Sequence, residues 1–124
     1  MANKKPILDW PRRGEIYLVN FDPAFGAEIK KTRPAIIIQN DITNRWSPIT
    51  IVAAITSHDN TEKYPTEVVI QSPGDGLKNL SVVCLDQIRS IDKQRLIYRL
   101  GRVNHQTLDA IDRALIISLG LIDF

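Results

Sequence analysis

Short apolar runs alternate with polar, turn-rich breaks along most of the chain, and their period predicts a sheet closed by one helix. Glu15 to Phe21 (EIYLVNF) is β-branched and aromatic, and Asp22-Pro23 and Gly26 punctuate the loop after it, so it reads as a first strand. Arg33-Pro34 opens a second strand over Ala35 to Gln39, whose unbroken apolar run predicts burial on both faces. Asn40 to Pro48 is polar apart from Trp46 and reads as a connecting loop. Ile49 to Thr56 (ITIVAAIT) is a third buried strand, and Thr66 to Gln71 a fourth, followed by the turn signal Pro73-Gly74-Asp75-Gly76. Ser81 to Leu85 forms a fifth strand, Gln87 to Ile91 continues the sheet, and Ile97 to Val103 adds one more.

The period then changes. Leu108, Ile111, Leu115 and Leu119 recur at helical spacing with Asp109, Asp112 and Arg113 on the other side, between a candidate N-cap at Asn104 and a stop at Gly120. Several short strands and a packing helix define a mainly β fold with α: a small barrel-like sheet with a C-terminal helix against it. No internal repeat interrupts this order.

Length and composition narrow the picture. The chain of 124 residues accommodates one compact domain, read as residues 13–124 behind a flexible tail at 1–12. A lone cysteine, Cys84, excludes an intramolecular disulfide framework and a Cys-rich zinc site. Apolar runs reach only about five residues, against the roughly 20 of a membrane span, and the first dozen residues lack an apolar leader. The expectation is a soluble, cytoplasmic protein with no membrane partner.

Net charge is only +2, but its distribution is uneven. Residues 1–33 hold seven basic and four acidic groups, whereas residues 103–124 hold one and three. That asymmetry points to an anionic ligand near the first third of the chain.

Familiar catalytic motifs are missing: neither a phosphate-binding Gly-rich loop nor a nucleophile elbow is present. His58 and His105 are the only imidazoles; both read as surface residues, with His58 weighed and set aside as a general base. No spacing of His, Asp or Glu matches a metal site, and Cys84, inside SVVCL, reads as a buried small hydrophobe. What remains is a polar cluster at strand ends. The loop Gly26 to Pro34 carries Glu28, Lys30, Lys31 and Arg33 into a buried strand, and Thr56 ends the next one. If those strands pair as antiparallel neighbours, the start of one lies beside the end of the other, so Arg33 and Thr56 meet.

The blocks RRGEIYLVNFDP, GAEIKKTRPAIIIQND, NRWSPITIVAAITS, YPTEVVI, SVVCLDQIRSIDKQRL and ALIISLGLIDF, in this order, resemble the MazF/PemK family of toxin endoribonucleases, in its MazF/EndoA branch. The resemblance implies an SH3-like β-barrel of the MazF, Kid and CcdB type, assembled as a homodimer. It implies a toxin that cleaves single-stranded RNA at short motifs without a metal or other cofactor. An acidic MazE-like antitoxin is the implied partner, and together the two are expected to bind DNA. Arg33 and Thr56 match the arginine and threonine on which the family relies, and Glu28 matches a loop glutamate implicated in some members. Candidate RNA-binding residues are Phe25, Lys30, Lys31 and Arg89, with Asn40, Asn44, Trp46 and Ser47 in the second loop and Ser57, Tyr64 and Gln87 beyond it. Asn20 and Leu80 depart from the usual pattern. The alternative is a non-catalytic SH3-like module that binds nucleic acid or gyrase, as CcdB-type proteins do; such a binder has no need of Arg33 and Thr56 at paired strand ends.

Overall fold

A computed structural model of the chain describes residues 9–57, 64–70 and 76–122. Six strands form one antiparallel sheet: β1 (Glu15–Asn20), β2 (Thr32–Ile37), β3 (Ile49–Ser57), β4 (Glu67–Ile70), β5 (Ser81–Asp92) and β6 (Leu96–Arg102). Their spatial order is β4-β5-β3-β2-β1-β6. Helix α1 (Asp41–Trp46) joins β2 to β3, and α2 (His105–Ser118) closes the chain.

The continuous apolar runs occupy the middle of the sheet, where both faces are covered. Ile36, Ala53 and Ile55 face the cluster completed by Ile111 and Ala114 of α2, while Ala35, Ile37, Val52 and Ala54 face a second cluster with Val19 and Phe21. β5 serves both clusters because it bends. Ala53 pairs with Ile88 but Ala54 pairs with Cys84, so a bulge at residues 85–87 redirects the strand and presents Gln87 toward the β1–β2 loop.

Gly76 closes the sheet on itself. It has φ +83°, and a Cβ there would lie 2.1 Å from the Leu100 carbonyl oxygen of β6. The segment entering β5 therefore packs against the strand at the far end of the sheet order, which gives the sheet its barrel-like curl.

The helix α2 follows its sequence signals closely. The Asn104 side chain accepts from Thr107 N–H. At the other end Gly120 N–H donates to Ile117 O and Leu121 N–H to Ile116 O, a Schellman arrangement around a left-handed glycine. Arg13 ties this helix to the sheet, donating from Nε to Ile38 O (2.9 Å) and from its terminal nitrogen to Asp112 (2.5 Å).

Two readings of local structure change. The stretch Asn40 to Pro48 is not a plain loop: residues 41–46 are helical, capped by the Asn40 side chain through Thr43 N–H at 2.8 Å. Six residues are too few for a hydrophobic period to show, so only the cap and Asp41 after it signalled a helix. The fold also starts before Arg13. Pro11 is buried, and Arg12 N–H donates to the Glu15 carboxylate at 2.7 Å. Residues 1–8 of the expected tail lie outside the described residues, as does His58. Among the described residues, no helix is long and apolar enough to cross a membrane.

Candidate active site

The registers of β2 and β3 run Ala35↔Ala54, Ile36↔Ala53 and Ile37↔Val52. Continued two residues toward the β2 start, this alignment sets Arg33 opposite Thr56. Both side chains are half-buried and line a single cavity of about 270 Å³. The apposition argued from strand order is thus present in the fold.

Arg33 is fixed through its backbone-facing nitrogen: Nε donates to Lys30 O at 3.1 Å. The terminal amino groups, the pair suited to bidentate phosphate binding, have no protein partner among the described residues. Thr56 Oγ1 lies 3.7 Å from Cys84 Sγ. Burial pushes the Cys84 thiol up in pKa, with the Thr56 contact pulling weakly the other way. Cys84 is thus a buried neighbour of the threonine whose thiolate form burial disfavours.

The cavity wall also holds Ser57, Lys78, Asn79 and Ser81. Lys78 and Asn79 escaped the sequence reading. They follow the Pro73–Gly76 turn signal, and only the packing of Gly76 on β6 brings them to Arg33. No motif or spacing encodes that approach.

Glu28 sits elsewhere. Its carboxylate accepts from Phe25 N–H at 2.7 Å, and it lines a smaller, separate cavity of about 90 Å³ with Phe21, Ile29, Gln87, Ile88 and Arg89. Among the described residues Arg33 forms no ion pair, with Glu28 or any other carboxylate. Glu28 is nevertheless the only carboxylate among the described residues that lines either cavity.

The β1–β2 loop that carries these groups is closed at its base. Phe21 N–H donates to Lys31 O at 2.9 Å, and Lys31 N–H donates to Asp22 at 2.9 Å. These bonds hold Lys31 at φ +67°, a conformation that costs a side-chain-bearing residue about 1–2 kcal/mol. Lys30 and Lys31 are exposed on this loop and Phe25 stands at its tip, 87% exposed. Gln87 accepts from Ile29 N–H at 3.3 Å, and Arg89 donates to Phe21 O at 2.6 Å. These two side chains line the Glu28 cavity while bracing the loop.

The second group of expected RNA contacts falls differently. Asn44 is fully buried: it donates to Gln39 O and accepts from Gln39 Nε2 and Thr50 Oγ1. Those bonds satisfy a polar core residue, so Asn44 is a structural group and its assignment to RNA is withdrawn. Asn40 caps α1, and Ser47 Oγ accepts from Ile49 N–H at 3.0 Å. Trp46 is 47% exposed and stacks under Arg45 at 5.4 Å. All four stand at the Ile49 end of β3, roughly 20–25 Å along the strand from Thr56 at about 3.3 Å per residue. They do not share a nucleotide with Thr56 within one chain. Tyr64 is 70% exposed beside β4 and lines neither cavity. His105 is exposed at the start of α2, 3.5 Å from Asp109.

A curled antiparallel sheet thus brings an arginine and a threonine together at neighbouring strand ends. The sequence matches, over residues 12–119, the family described as PemK-like, MazF-like toxin of type II toxin-antitoxin system, and the chain belongs to it. Among curated proteins it is similar to Endoribonuclease EndoA of Bacillus subtilis (strain 168), at 46% identity over 91% of this chain and 97% of that one. Among solved structures it is similar to an endoribonuclease in complex with its cognate antitoxin from Mycobacterial species, with TM-score 0.76 and 27% identity over 92% of this chain and 99% of the other. It is likewise similar to MazF (Form-I) from Deinococcus radiodurans, with TM-score 0.77 and 26% identity over 90% and 97%.

Proposed function

We propose that this chain is the toxin of a type II toxin–antitoxin pair, an endoribonuclease that cuts single-stranded RNA at short motifs and so blocks translation. The observation that carries this reading is the cavity that Arg33 and Thr56 share, in a chain of the MazF-like family. In the proposed reaction the ribose 2′-oxygen attacks the adjacent phosphorus and the P–O5′ bond breaks. The 2′-OH proton leaves to a base, the 5′-oxygen takes up a proton, and the products are a 2′,3′-cyclic phosphate and a 5′-OH end. Neither redox chemistry nor a metal is required by this balance.

Arg33 suits the charge that develops on the phosphorane, since its planar fork holds two oxygens and stays cationic. Thr56 donates a hydrogen bond to a non-bridging oxygen or aligns the 2′-OH. Glu28 is the proposed base, because among the described residues it is the one carboxylate lining the two cavities and its second oxygen makes no protein hydrogen bond. Glu28→Gln keeps an acceptor for Phe25 N–H and removes only the basicity. It is expected to lower kcat about 10²-fold, the smaller end of what a positioned base contributes. Activity within threefold of wild type would confine Glu28 to shaping the loop.

RNA reaches the site past Phe25, Lys30 and Lys31 on the β1–β2 loop, with Ser57 in the cavity wall and Gln87 and Arg89 beside Glu28. An acidic antitoxin segment lying on the same basic surface would block it by occupying the phosphate positions. Leu119, Leu121 and Ile122, exposed after α2, support pairing of two copies. The functional reading is tested by incubating the purified chain with a long single-stranded RNA in excess EDTA. Discrete cleavage is expected; intact RNA would favour the non-catalytic binding alternative.

A further inference from the structure

We infer that Lys78 is the second cation of the Arg33–Thr56 site, its ammonium contacting the scissile phosphate and carrying part of the charge that appears during cleavage. The inference rests on the endoribonuclease reading above and deepens it.

Lys78 is delivered by a rigid segment. Gly76 is seated against the Leu100 carbonyl with no room for a Cβ, Leu77 is buried in the core cluster of α2, and Ser81 Oγ donates to Asn79 O at 2.9 Å. Between these anchors Lys78 is exposed and lines the same cavity as Arg33 and Thr56. Among the described residues it forms no ion pair and no carboxylate lines this cavity. The lining therefore carries, among the described residues, two positive side chains and no negative one.

That imbalance fits the reaction. A bound phosphodiester carries one negative charge, which one guanidinium matches. When the 2′-oxygen–phosphorus bond forms and before P–O5′ breaks, the phosphorane carries two. A second preorganised cation is then worth more in the transition state than in the ground state, the condition for raising kcat and not only affinity. Lys30 and Lys31 lie on the loop before Arg33 and line neither cavity, so they do not fill this position.

The test uses the full chain and a short RNA carrying a cleavage site first mapped with the wild-type protein. Lys78→Met is expected to lower kcat about 10–100-fold with the thermal midpoint unchanged, because its stem is solvent-exposed. Lys78→Arg, which retains the charge, is expected to return kcat to within about fivefold of wild type. If Lys78→Met keeps a wild-type kcat, including when KM alone rises, the ammonium tracks a flanking phosphate and the assignment is wrong. A loss in Lys78→Arg as deep as in Lys78→Met overturns it too, as damage to the segment. RNA left intact by the wild-type protein overturns the endoribonuclease reading and this assignment together, whereas a cleaving wild type with an unimpaired Lys78→Met overturns the assignment alone.

Discussion

Replacing Arg33 by alanine is expected to lower kcat about 10²–10³-fold, or about 3–4 kcal/mol of transition-state stabilisation, while leaving the fold intact. Among the described residues the side chain makes one hydrogen bond, Nε to Lys30 O, so its removal costs stability only on the order of 1 kcal/mol. Its terminal amino groups are held ready in the cavity with no competing partner among the described residues. Lysine is a poor substitute there, because it keeps the charge and loses the fork; Arg33→Lys should recover less than a tenth of the lost rate. Single-turnover kinetics beside a thermal melt separate the two effects. A melt lowered by many degrees with kcat per folded molecule unchanged would remove Arg33 from the chemistry.

Gly76→Ala is expected to be strongly destabilising. The new Cβ would stand 2.1 Å from the Leu100 carbonyl oxygen at a φ of +83°, where side-chain-bearing residues are already strained. Backbone must move on one side or the other. The strain and displaced packing amount to about 3 kcal/mol or more, a large share of the roughly 5–15 kcal/mol that holds a domain together. The thermal midpoint should fall on the order of 10 °C or more. Activity should fall further than unfolding explains, since the same segment carries Leu77 to Asn79 into the Arg33 cavity. A midpoint within 2 °C of wild type would mean that the segment does not press on β6.

These two positions show what the sequence can and cannot disclose. Arg33 and Thr56 were legible because each abuts a long apolar run, and neighbouring antiparallel strands bring such ends together through backbone pairing alone. The buried middle of β2 and β3, and the capped helix α2, were legible for similar reasons: their signals are local and periodic. Lys78 was not, because its place depends on how a turn packs across the sheet onto Leu100. Asn44 misled in the opposite direction. A polar residue in a polar stretch reads as exposed, yet three core hydrogen bonds make burial favourable here. Glu28 marks the boundary: its loop was legible as a charged turn entering β2, but the bond of its carboxylate to the Phe25 amide was not.

The central claim is that Arg33 and Thr56 form a site for cleavage by the neighbouring 2′-oxygen, and the chemistry of the cut ends tests it most directly. Wild-type protein should convert a defined RNA in excess EDTA to fragments whose masses correspond to a 2′,3′-cyclic phosphate and a 5′-OH. A single 2′-deoxy substitution at the cut position should abolish the reaction. Fragments ending in 3′-OH and 5′-phosphate, or unimpaired cutting of the 2′-deoxy substrate, would contradict the account.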